Sequence, residues 1–248
     1  MGARKEAQAG EVPVGMALDI IGFDADDTLW HNERFFRLTQ DRFAALLANH
    51  APAEELDARL LAAERRNLGR YGFGVKGFVL SMIETAVEVT EGRVPGSVIA
   101  ELLAAGREML DHPIELLPHA REAVEAVAGH YRVVLITKGD LLHQERKLAQ
   151  SGLGDLFDAV EIVSDKTPEV YARIFARHGA GPEAALMVGN SLKSDVIPPI
   201  LAGGWGVYVP HGLAWALEHA EAPLEHARFR ALEDLGALPE LLGWIDGA

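Results

Sequence analysis

Asp24 and Asp26 stand two residues apart where an apolar run, Ile20, Ile21 and Phe23, stops in the stretch LDIIGFDADDTLW. The run has the length and the β-branched, aromatic character of a buried strand, so a strand delivers carboxylates at its exit. In an open parallel sheet the ligand crevice lies beyond the carboxyl ends of the strands, which is where these acids fall. The chain has no cysteine, so a nucleophile must be an oxygen or nitrogen group and metal ligands must be Asp, Asn or His. An Asp-rich turn capping the next helix would use the same residues, and from this stretch alone both readings stand. Three later strand exits also carry polar residues: Thr137, Lys138 and Gly139 after YRVVLI, Lys166 after AVEIVS, and Asn190 and Asp195 after ALMV. One such exit is an ordinary loop, whereas four on one sheet edge point to a site.

The elements that must hold these residues follow from periodicity. From Glu33 to His50 the apolar residues Phe35, Phe36, Phe43, Leu46 and Leu47 recur at helical spacing, and Pro52 opens a second helix through Leu56, Leu60 and Leu61. The glycine-rich stretch Arg70 to Phe78 reads as a loop, with Tyr71 to Lys76 at its centre. A third helix carries Val79, Met82, Ile83, Ala86 and Val87, and Pro95 opens a fourth. This strandless stretch reads as a small helical bundle, residues 32–113, inserted into a core of residues 16–31 and 114–248. From Pro118 strands and helices alternate, with Asp140 expected to cap one helix, Pro168 to open another, and Gly206 to Val209 to be the last strand before short amphipathic pieces. The expected fold class is therefore α/β, a Rossmann-like doubly wound parallel sheet with an inserted helical bundle.

At 248 residues, almost half of them hydrophobic, the chain can bury a sizeable core. Its 37 acidic against 23 basic residues, a net charge of -14, argue against a nucleic-acid polymer or an anionic membrane as partner. A small anionic ligand stays compatible, because local fields outweigh net charge. No stretch approaches the roughly 18 apolar residues of a membrane span, and the first 15 residues lack the apolar core of a secretory signal, so a cytoplasmic location is expected. Residues 1–15 read as a disordered lead-in, with Met16 an alternative start.

The order FDADDT, LITKG, a lone Lys166 and VGNSLKSD resembles the haloacid dehalogenase-like hydrolase superfamily, whose members are mostly magnesium-dependent phosphatases. The four motifs span Ile20 to Asp195, and the resemblance implies a helical cap between the first and second of them. It makes Asp24 the nucleophile that forms an aspartyl phosphate and Asp26 the general acid and base. To act first as an acid, Asp26 must sit where its pKa is raised. Thr137, with the backbone amides of Lys138 and Gly139, would hold phosphoryl oxygens, and Lys166 would neutralise charge on the nucleophile and the phosphoryl group. Magnesium would take Asp24, the Asp26 carbonyl, Asp195 and Asn190, the last where the family commonly has Asp. The implied partner is a small phosphorylated metabolite.

Several readings compete. Thr137 alone is a strand-end hydroxyl, Lys138 a solvated neighbour, Lys166 a surface lysine and Asp195 a turn cap. Trp30 and His31 can line the cap hinge, although an aromatic there is more often core packing, and His211 and Trp215 can edge the pocket, while the remaining histidines lack the spacing of a zinc site. Within the superfamily, the metal-independent dehalogenase branch usually lacks the second acid that Asp26 supplies, and a phosphomutase would keep both acids. A phospho-accepting signalling domain gathers similar residues but is ordinarily smaller and uncapped. A non-catalytic phosphate-binding protein rests on Asn190 only.

Overall fold

The computed structural model describes residues 17–247, so the lead-in expected over residues 1–15, and Met16, lie outside the described residues. A strand β1 (Ile20–Phe23) is followed by four helices, α1 (Glu33–Leu46), α2 (Ala53–Tyr71), α3 (Val75–Val89) and α4 (Gly96–Asp111). Then come α5 (Ala120–Val127), β2 (Arg132–Lys138), α6 (Leu141–Ser151), β3 (Ala159–Val163), α7 (Pro168–His178) and β4 (Ala185–Gly189). The chain continues through a turn of π-helix (Leu192–Val196), α8 (Ile197–Leu201), β5 (Trp205–Tyr208), β6 (Phe229–Ala231) and α9 (Leu238–Asp246).

The six strands pair in the order β3-β2-β1-β4-β5-β6, every pairing parallel. β1 is central, and the chain fills one side of it with β2 and β3 before crossing to β4, β5 and β6. The order therefore reverses between β1 and β4, which in this class of sheet opens a crevice at their carboxyl ends. The class is the α/β, Rossmann-like one expected.

Strand alternation builds two cores. Ile21 and Phe23, with Val133, Leu135, Leu186 and Val188, pack under α5 and α9, while Ile20, Val134, Ile136 and Met187 pack under Tyr171, Ile174 and Phe175 of α7. Ile20, Ile21 and Phe23 are all fully buried, and burial of each contributes roughly 1.5–3 kcal/mol. The strand that carries Asp24 is thus held firmly on both faces. Helices α1 to α4 share a separate core built on Phe43, Leu56, Leu60, Phe78, Met82 and Leu102. The two segments joining this bundle to the sheet hydrogen-bond to each other, with the His31 N–H on the Glu115 carbonyl at 3.0 Å and the Leu117 N–H on the Leu29 carbonyl at 2.9 Å.

Some elements differ from their expected form. The loop expected over Arg70 to Phe78 shrinks to Gly72, Phe73 and Gly74, because α2 runs on through Tyr71 and α3 starts at Val75. Gly72 (φ 71°) and Gly74 (φ 111°) supply the positive φ angles that so tight a turn demands. Helix α1 ends at Leu46 rather than His50. Asp140 does occupy the position before α6, but its side chain caps nothing there and pairs with Lys76 at 2.7 Å. Thr167 caps α7 as its place before Pro168 suggests, accepting the Val170 N–H. The chain does not stop forming sheet at Val209: β6 adds a sixth strand from only three residues, Phe229, Arg230 and Ala231, too few to show a period.

Candidate active site

The eight residues singled out at the strand exits, Asp24, Asp26, Thr137, Lys138, Gly139, Lys166, Asn190 and Asp195, all line one cavity of about 370 Å³ between the sheet edge and the helical bundle. Asp24 follows β1 directly, its N–H on the Val188 carbonyl of β4 at 2.9 Å, so it sits at the reversal of strand order. The chain then turns tightly around Ala25, whose carbonyl accepts the Leu29 N–H at 2.8 Å, and this turn brings Asp26 back to the same cavity.

Lys166 joins the exits of three strands. Its ammonium is 2.5 Å from Asp24 Oδ1 and 2.6 Å from Asp195 Oδ1, with all three residues buried. Burial above all, with the nearby Asp195 carboxylate, pushes the Asp24 carboxyl up to about 7 against the pull of Lys166. Burial works against the charge on Lys166, yet Asp195 and Asp24 prevail and hold its pKa well above the usual lysine range. Asp195 can come this close because it packs on a glycine: a Cβ at Gly189 would lie 2.4 Å from the Asp195 side chain. The other Asp195 oxygen accepts the Ser191 N–H at 2.9 Å. Thr28 bridges the first and fourth motifs, its hydroxyl 3.1 Å from Asp24 Oδ2 and 3.3 Å from Asn190 Oδ1.

Asp26 sits in an environment opposite to the one its expected role requires. Burial raises its pKa, but the Lys147 ammonium at 2.6 and 2.7 Å, the Trp30 indole N–H at 2.7 Å and Gln144 at 3.1 Å outweigh that and lower it. The carboxylate is the resting form. Lys138 is no solvated neighbour either: its ammonium lies 2.6 Å from Glu218 Oε1, 2.8 Å from Ser194 Oγ and 4.0 Å from the centre of the Phe73 ring. Its charge is therefore already balanced from the loop after β5. Thr137, buried at the end of β2, accepts from Gln144 Nε2 at 2.6 Å.

Asp27 adopts φ 61°, a backbone state that Asp tolerates better than most residues. Its carboxylate accepts the N–H groups of Asn32 and Glu33 at 2.9 Å and so anchors the start of α1. The histidines are less scattered than their spacing implies. His31 and His211 converge on Asp27, their ligating atoms within 4.8 Å of one another, a group able to hold a metal ion and distinct from the four expected ligands. Sequence spacing carries no trace of it, because 180 residues separate the two histidines.

The bundle lines the cavity with two further acids, Glu33 of α1 and Glu64 of α2. Burial, then the nearby Asp27, pushes Glu33 up to about 8, and burial pushes Glu64 up to about 7. A carboxyl with a raised folded pKa binds its proton more tightly in the folded chain, so stability is lost as pH rises from the ordinary value of 4.5 to about 8. Thermal unfolding is expected to show lower stability at about pH 8 than at about pH 5, and Glu33→Gln to remove on the order of 1 kcal/mol of that difference.

A family model described as haloacid dehalogenase-like hydrolase matches residues 18–203. The chain belongs to this hydrolase family. A haloacid dehalogenase-like hydrolase from Xanthomonas campestris is 43% identical over 96% of this chain and 95% of its own, with a TM-score of 0.84. A hydrolase of the family from Bacillus subtilis, bound to magnesium, is 17% identical over 92% and 99% of the two chains, with a TM-score of 0.62. An L-2-haloacid dehalogenase from Xanthobacter autotrophicus, carrying covalently bound chloropropionic acid, is 20% identical over 91% and 98%, with a TM-score of 0.61. These last two share the fold. None of the curated proteins compared with the chain matches it. Among the described residues no helix is long and apolar enough to cross a membrane.

In this haloacid dehalogenase-like hydrolase the motifs omit several residues that shape the cavity. Glu218, Ser191 and Ser194 enclose Lys138, and Gln144 and Lys147 of α6 reach Asp26. One signal for α6 was present in its order. The helix exposes Leu141 and Leu142, each 60% accessible, and buries His143, Gln144 and Lys147, an inverted amphipathic pattern that a polar interior explains.

Proposed function

We propose that this hydrolase is a magnesium-dependent phosphatase, cleaving small phosphomonoesters through an aspartyl phosphate on Asp24. The reading is carried by one observation: a second carboxylate, Asp26, shares the cavity with Asp24. A halide leaves carbon as a stable anion and needs no proton. An alkoxide leaving phosphorus does need one, and Asp26 is placed to provide it.

Asp24 attacks phosphorus, the bond to the ester oxygen breaks, and Asp26 gives its proton to that oxygen. Water then attacks phosphorus, Asp26 takes the water's proton, and the bond to Asp24 breaks. Asp26 rests as a carboxylate, so it takes its first proton from solvent water as the phosphate binds, because a neighbouring dianion favours the neutral acid. Lys166, with one hydrogen left after its two carboxylates, and Thr137 with the amides of Lys138 and Gly139 hold the phosphoryl oxygens. The bundle of residues 32–113 serves as the cap, excluding bulk water.

The donor set suits magnesium: Asp24, Asn190, Asp195 and the Asp26 carbonyl are all hard oxygens, and two buried carboxylates share a single ammonium. Magnesium is also the ion bound by the Bacillus subtilis relative. When bound, the ion offsets the excess negative charge of carboxylates and phosphoryl oxygens. The test is hydrolysis of an aryl phosphate with and without magnesium. Turnover that needs the ion supports the reading; halide release from a 2-haloacid without metal and no phosphate release would overturn it.

A further inference from the structure

Helix α6 turns Gln144 and Lys147, one helical turn apart, toward the cavity, and both are nearly fully buried at 3% and 6% exposure. A buried lysine beside a carboxylate is commonly a structural ion pair. Here the bonding of each atom says more.

Lys147 has three hydrogens, and three acceptors take them: Asp26 Oδ1 at 2.6 Å, Asp26 Oδ2 at 2.7 Å and Asn32 Oδ1 at 3.3 Å. No donor is left for a substrate, so Lys147 can act on the chemistry only through Asp26. Both residues line the cavity, but the side chain of Asp26 is 24% accessible and that of Lys147 only 7%, so the acid is the more exposed of the pair.

The two oxygens of Asp26 are not equivalent. Oδ1 receives both the Trp30 indole at 2.7 Å and Lys147, which fills its two lone pairs. Oδ2 receives Lys147 and faces Gln144 Nε2 at 3.1 Å. That amide has two hydrogens and three acceptors in reach, Thr137 Oγ1 at 2.6 Å, Lys138 O at 3.0 Å and Asp26 Oδ2, the last being the most distant. The second lone pair of Oδ2 is therefore engaged only by the longest of the Gln144 contacts, the one most easily displaced by a proton in transit.

We infer that Lys147 is a positioning residue that, with Trp30, clamps Asp26 through Oδ1 and presents Oδ2 as the oxygen that passes the proton to and from the reacting group. The inference rests on the phosphatase reading, and it predicts a dependence on leaving group that a purely structural ion pair would not produce. An alkyl phosphate needs its leaving oxygen protonated; 4-nitrophenyl phosphate, whose leaving group is stable as an anion, does not.

The experiment measures KM and the pre-steady-state rate of leaving-group release, which reports the first displacement alone, for the wild type, Lys147→Met and Lys147→Arg on glycerol 2-phosphate and 4-nitrophenyl phosphate, with magnesium present. Lys147→Met is expected to lose about 100-fold or more in that rate on the alkyl ester and under about 10-fold on the aryl ester, with KM little changed. Lys147→Arg should recover part of the alkyl-ester loss. Equal losses on the two esters, or a rise in KM at a constant release rate, would overturn the inference.

Removing one partner of a buried pair can cost the fold, so the double variant Asp26→Asn with Lys147→Met is compared with Asp26→Asn alone. Unchanged release rates on both esters support action through Asp26, and a further loss of 10-fold or so contradicts it. Wild-type protein that hydrolyses neither ester would instead remove the phosphatase reading. That outcome is distinct from hydrolysis of both with equal sensitivity to Lys147.

Discussion

Asp24→Asn is expected to reduce turnover of an aryl phosphate by on the order of 10⁴-fold or more while leaving the protein folded and at least as stable as the wild type. Both halves follow from the same geometry. An amide has nearly the shape of the carboxylate but no nucleophilic oxygen, so the first displacement is lost. In the wild type, burial and Asp195 push Asp24 up to about 7, which means that its charge is costly to the folded state. The amide carries no such charge, and Lys166 keeps Asp195 at 2.6 Å as its counterion. A loss of activity coupled to a gain in thermal midpoint is the signature of a residue kept for chemistry at the expense of stability. Assays and thermal melts on one preparation test both.

Lys166→Met is expected to fail in the other direction, losing activity and stability together. Lys166 is 4% exposed, and its ammonium joins Asp24 and Asp195 across 142 and 29 residues of sequence. Without it two buried carboxylates face each other with no counterion, at a cost of about 3–5 kcal/mol. For a chain of this size each kcal/mol moves the thermal midpoint by about 2–4 °C, so a fall of roughly 10 °C is expected. Adding Asp24→Asn to Lys166→Met should recover part of that loss, since one of the two stranded charges is gone. Turnover should not recover, because the nucleophile is then absent as well.

The parts of this molecule that reading the sequence reached are those with local, periodic or motif-like signals. The run Ile20 to Phe23 is apolar because both faces of β1 are covered, and its abrupt acidic end falls at the reversal of strand order. The four polar strand exits could be aligned because parallel strands present their ends on one edge. What was not legible depended on distance in space. Asp26 looked like an acid in need of a raised pKa, yet its partners Lys147 and Gln144 lie 121 and 118 residues away on a helix with no motif. Lys138 looked solvent-facing because Glu218 comes from the irregular segment after β5. Strand β6 is three residues long, one of them arginine, and forms only because β5 offers an open edge. His31, His211 and Asp27 meet through the packing of two loops, which no spacing rule anticipates.

The central claim is that Asp24 carries the phosphoryl group between two displacements, and the Asp26→Asn variant exposes it most directly. With 4-nitrophenyl phosphate the first step needs no acid, whereas the second lacks its base, so phosphoenzyme should accumulate. Rapid acid quenching, borohydride reduction and peptide mass spectrometry should find a nitrophenolate burst near one per chain and reduction confined to Asp24. A burst with Asp24 unmodified, or hydride taken up at another carboxylate, would contradict the account.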